Sequence, residues 1–153
     1  MSQEHVFEGE LRWTGASQLT ETGVAIGRRF ALDFQGKAPI EGSSPAVFKG
    51  DEAFHNPETL MVASLMACHH LTYLSLCERA GVALVEYTDH ASGRLGLREG
   101  KMRMIAVTLH PRVRVAQAAD VQRALDLHAK AHANCFMSNS VNFEVTVEPT
   151  VGA

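Results

Sequence analysis

The chain has 153 residues, 46% of them hydrophobic and 20% charged, with a formal net charge of −3. That composition suits one globular domain, residues 1–153, whose core a second copy could complete. Acids and bases are interleaved, which excludes the basic stripe a nucleic acid needs and the polybasic segment of a membrane-surface protein. The longest apolar run, Leu60 to Cys68, is shorter than a bilayer span. The opening Met1-Ser-Gln-Glu-His lacks the basic flank and apolar stretch of a secretory leader. With three cysteines, this predicts a reducing, cytoplasmic setting in which thiols are reactive, metal-bound or inert rather than structurally bridged.

In chain order, His5 to Trp13 alternates, with Phe7, Leu11 and Trp13 on one face, and predicts a half-buried strand. Residues 14–27 hold turn formers and read as a hairpin connection. Arg28 to Phe34 alternates again, and residues 35–56 are rich in Gly, Pro, Ser and charge, as a functional surface loop would be. Pro57 then opens a helix behind the cap Asn56, with Glu58 in the first turn where the helix dipole favours it. The helix runs to Ala80, stops at Gly81, and is apolar nearly all round, which predicts burial on most sides. Two strands, Ala83–Leu97 and Lys101–Val115, turn at Glu99-Gly100. A second helix, Gln117–Ala133, and a closing strand, Val141–Val151, follow. The order ββ–α–ββ–α–β predicts an α+β fold with antiparallel sheet.

The cysteines divide by geometry. At ~100° per residue, Cys68 and Cys77 lie on opposite sides of the first helix and cannot serve one site. Cys77, among Leu74, Leu76 and Ala80, reads as packing. Cys68 shares a column with Ser64 and Thr72, which leave room for a ligand. Cys135 follows the second helix and heads a turn-like Cys-Phe-Met-Ser-Asn-Ser segment, where one of the two helix thiols could meet it. A reactive Cys68 needs a cation, since apolar surroundings raise a thiol's pKa. Arginine suits that role best, because it stays charged when desolvated. Arg28 shares parity with Phe30 and Leu32 and can point inward, whereas Arg29 points to water; Glu58 would hold the arginine by a bidentate pair. His69 stands ~100° round the helix from Cys68. On the second helix, Val121, Leu125, His128, His132 and Cys135 share one face, which fits core histidines, a proton relay, or a His-x3-His-x2-Cys metal site.

Asn56-Pro57-Glu58-Thr59-Leu60 running into Ala63-Ser64-Leu65-Met66-Ala67-Cys68, with Cys135-Phe-Met-Ser-Asn near the end, resembles the osmotically inducible protein C and organic hydroperoxide resistance family. The resemblance implies an intertwined homodimer, with antiparallel sheets wrapped around two central helices and active sites at the subunit interface. It implies a peroxidatic Cys68, a resolving Cys135, Glu58 as the arginine-orienting carboxylate, and Arg28 or Arg29 as the arginine. Phe136 stands where a proline is common, and His69 follows the nucleophile. The implied reaction reduces an organic hydroperoxide through a Cys68 sulfenate and a Cys68–Cys135 disulfide, at the expense of an external dithiol. It needs no metal, haem or flavin. Leu65, Leu71 and Phe136 are expected to line the pocket. The alternatives are a Cys/His hydrolase or acyl transferase using His69 or His128 as base, and a non-catalytic Cys/His metal or ligand carrier.

Overall fold

A computed structural model describes residues 3–153, so the first two residues of the N-terminal reading lie outside the described residues. The chain resolves into two compact units, residues 1–57 and 58–153. The first is built of β1 (Glu10–Trp13), the hairpin β2 (Ser17–Thr20) and β3 (Gly23–Ile26), β4 (Phe30–Asp33) and β5 (Ile40–Gly42). β4 lies between β1 and β5, antiparallel to both, in a register that sets Leu11 opposite Leu32 and Trp13 opposite Phe30. The first strand is shorter than its alternation predicts and is not half-buried: Leu11 and Trp13 are both more than half exposed. The 35–56 loop contains β5 and a 3-10 turn at Ala46–Phe48, and Ser43 is buried with its hydroxyl accepting the Asp51 N–H.

The second unit is organised by α1 (Pro57–Ala80). Its end is chemically explicit. Gly81 takes φ 69°, its N–H donates to Glu78 C=O, and the Val82 N–H reaches back to Cys77 C=O. These are the two bonds of a glycine-terminated helix stop, and buried Val82 supplies the accompanying apolar contact. β6 (Leu84–Asp89), β7 (Ser92–Arg98), β8 (Lys101–Leu109) and β9 (Pro111–Val115) form a long bent hairpin. It reverses at Glu99 (φ 51°) and Gly100 (φ 75°), the pair of left-handed residues that a two-residue turn between twisted strands requires. Each predicted long strand is broken: at 90–91, at His110 and at 148–149. Two of the three breaks are flanked by proline, Pro111 and Pro149, which has no N–H to continue a ladder.

After a 3-10 turn come α2 (Val121–Ala133), β10 (Glu144–Val147) and β11 (Thr150–Gly152). β10 pairs with β8 and β11 with β9, both parallel, whereas β6–β9 and β7–β8 are antiparallel. The parallel pairs follow from connectivity, since a return through a helix brings the chain back in the direction it left. The fold is α+β as the element order predicts.

Two apolar clusters close this unit. Tyr73 and Cys77 of α1 meet Val113 and Val115 of β9 and Ala124, Leu127 and Ala131 of α2. Leu65 of α1 meets Val107 and Leu109 of β8. The buried stripe of α1 is therefore Leu65, His69, Tyr73 and Cys77, one residue every four. The rest of the helix is less covered than its sequence predicts. Taken whole, α1 is long and apolar enough to cross a bilayer, beyond what the Leu60–Cys68 run suggests, and 22% of its most apolar stretch is buried. Ala67, Leu71 and Leu74 are exposed along the opposite side.

Candidate active site

Helical geometry carries Cys68 to the border between the covered and uncovered sides of α1, and Cys77 to the opposite flank, fully buried beneath Tyr73. Cys68 is half-buried and Cys135 wholly buried; both are free thiols, and the Cys135 thiol acts on the Cys68 thiol electrostatically. The turn after α2 sets this arrangement. Cys135 N–H donates to His132 C=O, extending the helical path, and Asn139 N–H then donates to Cys135 C=O and folds the next residues back. Within this turn Met137 N–H points at Cys68 Sγ (3.5 Å) and Ser138 N–H at Cys135 Sγ (3.5 Å).

Burial raises the Cys68 pKa. The Met137 N–H opposes it by favouring the thiolate, the Cys135 thiol adds to the rise, and the Phe136 N–H opposes it again. Thr72 spends its hydroxyl on Cys68 C=O (2.8 Å) and Ser64 on Met61 C=O, leaving the column beside the thiol without a free side-chain donor. Of the expected pocket lining, Leu65 is instead wholly buried in the core with Val107 and Leu109, because it lies on the covered stripe. Leu71 and Phe136 are exposed.

His69 and His128 meet each other. Nε2 of His69 lies 3.0 Å from Nδ1 of His128 across the α1–α2 packing, both rings are buried, and Tyr73 stacks on His128 at 3.9 Å between centroids. Tyr73 is fixed in turn by donating its hydroxyl to Ala124 C=O. Burial lowers the pKa of His69 to about 4, aided by repulsion from His132 and His70; burial and His69 lower His128 to about 4. Both rings are neutral at pH 7. Among the described residues, no group of three His, Cys, Asp or Glu side chains is arranged to hold a metal, so the His-x3-His-x2-Cys spacing does not close into a ligand set.

Glu58 opens a cleft of about 360 Å³ with Val62, Ala63, Met66, Ala91, Gly93, Leu95 and Met104. Its Oε2 is buried without a hydrogen-bond partner among the described residues. Arg29 is engaged elsewhere: its guanidinium stacks over Phe54 at 4.1 Å and lies 3.7 Å from a Glu41 carboxylate oxygen. Arg28 is exposed on a cleft with Leu11, Trp13, Ile26 and Phe30 in the first unit. Sequence reasoning missed the backbone donors of 136–138 and the His69–His128 bond. The first has no side-chain signature, and the second needs the relative rotation of two helices.

The fold is α+β, and two of its free cysteines, Cys68 and Cys135, accept from neighbouring N–H groups of one turn. The profile of the family described as "OsmC-like protein" matches residues 50–150, and the chain belongs to that family. Among solved structures, an OsmC-like protein of unknown function from Vibrio cholerae is 30% identical, with a TM-score of 0.83 over 95% of this chain and 99% of that one. An organic hydroperoxide resistance protein from Elizabethkingia anophelis, bound to crystallant-derived thiocyanate, is 22% identical (TM-score 0.71; 99% of each chain). The organic hydroperoxide resistance protein OhrB of Bacillus subtilis is 19% identical (TM-score 0.62; 95% and 98%). No curated protein matches the sequence.

Proposed function

We propose that this chain is a cytoplasmic thiol peroxidase that reduces organic hydroperoxides, with Cys68 as attacking and Cys135 as resolving thiol. The observation that carries the reading is the turn after α2, whose Met137 N–H reaches the half-buried Cys68 Sγ and whose Ser138 N–H reaches the wholly buried Cys135 Sγ, each at 3.5 Å. Family membership and neighbours named organic hydroperoxide resistance proteins support it. The Cys68 thiolate attacks the distal peroxide oxygen; the O–O bond breaks, the alkoxide takes a proton and leaves as alcohol, and sulfur is left as a sulfenic acid. The Cys135 thiol then displaces water from that sulfenic acid, forming the disulfide. An external dithiol donates two electrons and two protons to restore both thiols.

Glu58 is the orienting carboxylate in this proposal. Its orphaned buried oxygen calls for a donor, and Arg28 is the guanidinium proposed to fill it. The exposed Ala67, Leu71 and Leu74 are the face on which a second copy packs to form a homodimer, beside the Cys68 column. Consumption of cumene hydroperoxide with a dithiol tests the reading. Cys68→Ser abolishes turnover; retained turnover in that variant overturns it.

A further inference from the structure

We propose that the cleft between α2 and β10 binds a small uncharged alcohol, whose hydroxyl is held by His128 Nε2 and His132 Nδ1 and whose alkyl or aryl body fills the rest. The inference goes beyond the peroxidase reading and does not rest on it: none of Cys68, Cys135 and Glu58 lines this cleft.

The cleft measures about 430 Å³ and opens where α2 packs against β10, the end strand of its sheet. Leu125, His128, Ala129 and His132 form its helical wall, and their i, i+3, i+4, i+7 spacing is one face of α2. Two nitrogens in this wall have unmet hydrogen-bonding capacity. His128 is 2% exposed and spends Nδ1 on His69 Nε2 at 3.0 Å, and its own Nε2 is buried without a partner among the described residues. The two nitrogens of an imidazole point in divergent directions, so with Nδ1 turned to α1 the Nε2 atom looks away from it. His132 Nδ1 is likewise buried and unpartnered among the described residues. A buried nitrogen left without a partner is costly, so the cleft asks for a polar group as well as apolar mass.

The wall chemistry narrows the occupant. Two imidazoles without a third ligand do not make a metal centre, and among the described residues no three His, Cys, Asp or Glu side chains converge. The lining residues include no Lys, Arg, Asp or Glu, and His128 is neutral at pH 7, so nothing balances a charged head. Thr146 has already committed its hydroxyl to Thr108, at 3.0 Å. A hydroxyl both donates and accepts, so one such group bonds two nitrogens at once. His128 Nε2 suits either role: the bond to His69 can be donated by either ring, which leaves Nε2 with a proton in one case and a lone pair in the other. Leu125 and Ala129 on one side, with Val145 and Val147 on the other, receive the apolar body.

The test titrates 1-hexanol into the reduced full-length protein at constant pH and reads the nitrogen resonances of its isotopically labelled imidazoles. Those of His128 and His132 move together along one saturable curve in the low millimolar range, as suits so small a ligand. Hexanoate and hexylammonium at the same concentrations leave them in place. Ala129→Trp fills the cleft from the exposed side of α2, away from the His69–His128 bond, and abolishes the response. His132→Leu removes one of the two bonds to the hydroxyl and weakens binding by about tenfold. In the unaltered protein, nuclear Overhauser contacts from the hexyl chain fall on the methyl groups of Leu125, Val145 and Val147, a result that needs no variant to fold. No response, or one that rises without saturating, means that water alone meets the two nitrogens and overturns the proposal. An equal response to hexanoate, contacts to other methyl groups only, or undiminished binding in folded Ala129→Trp overturns it as well. The titration uses no peroxide, so loss of the peroxidase reading would leave this result intact.

Discussion

Acidification should destabilise this protein through the His69–His128 pair well before its exposed carboxylates matter. In the unfolded chain both histidines titrate near 6.5, and in the fold both are held to about 4. The unfolded state therefore binds more protons across that window, so stability is fully present above pH ~6.5 and is lost as pH falls toward ~4. A gap of this size corresponds to roughly 3 kcal/mol for the first proton forced onto the pair, at about 1.4 kcal/mol per unit. The second proton meets a charged neighbour 3.0 Å from its own ring nitrogen. Urea denaturation at steps from pH 7.5 to pH 4.5 measures the loss. The control is the paired variant His69→Leu with His128→Met, which removes both partners together and leaves no orphaned buried nitrogen. The native protein should lose at least ~2 kcal/mol more than this variant over the window. Parallel curves for the two proteins would refute the argument, since they would mean that the buried imidazoles accept protons without cost.

Three further outcomes follow from the packing. Cys77→Ala costs about 1 kcal/mol in chemical denaturation and leaves hydroperoxide turnover unchanged, because Cys77 fills core space beneath Tyr73. Tyr73→Phe costs about 1 kcal/mol in the same assay, by removing the buried hydroxyl's bond to Ala124 C=O. Leu71→Asp weakens self-association by at least about tenfold in sedimentation velocity, because it puts a charge on the exposed apolar side of α1.

Local chemistry made some of this molecule legible from residues alone. The bounds of α1 are written in Pro57 and Gly81, and the β7–β8 turn in Glu99-Gly100, because capping and left-handed backbone are short-range demands. The separation of Cys68 from Cys77 follows from helical angle alone. What escaped depends on tertiary partners. The breaks at 90–91, His110 and 148–149 align across neighbouring strands, and the parallel pairing of β10 and β11 depends on where α2 returns the chain. The periodicity of α1 shows that Leu65, His69, Tyr73 and Cys77 share a face. It does not show that this face, and not the Leu71 side, meets the sheet. For that reason Leu65 was expected in a pocket and is found in the core. His128 and His132 were placed on one stripe, but only the facing helix shows that His128 bonds His69. The turn that serves both Cys68 and Cys135 likewise does so through backbone amides, which are invisible in a pattern of side chains.

The most direct test of the dithiol account is peptide mass mapping after one equivalent of cumene hydroperoxide, with alkylation of whatever thiols remain. The account predicts a chain lighter by two hydrogens, with Cys68 joined to Cys135 and Cys77 alkylated. A chain that keeps all three thiols alkylatable, or that joins either thiol of the proposed pair to a different sulfur, would contradict it.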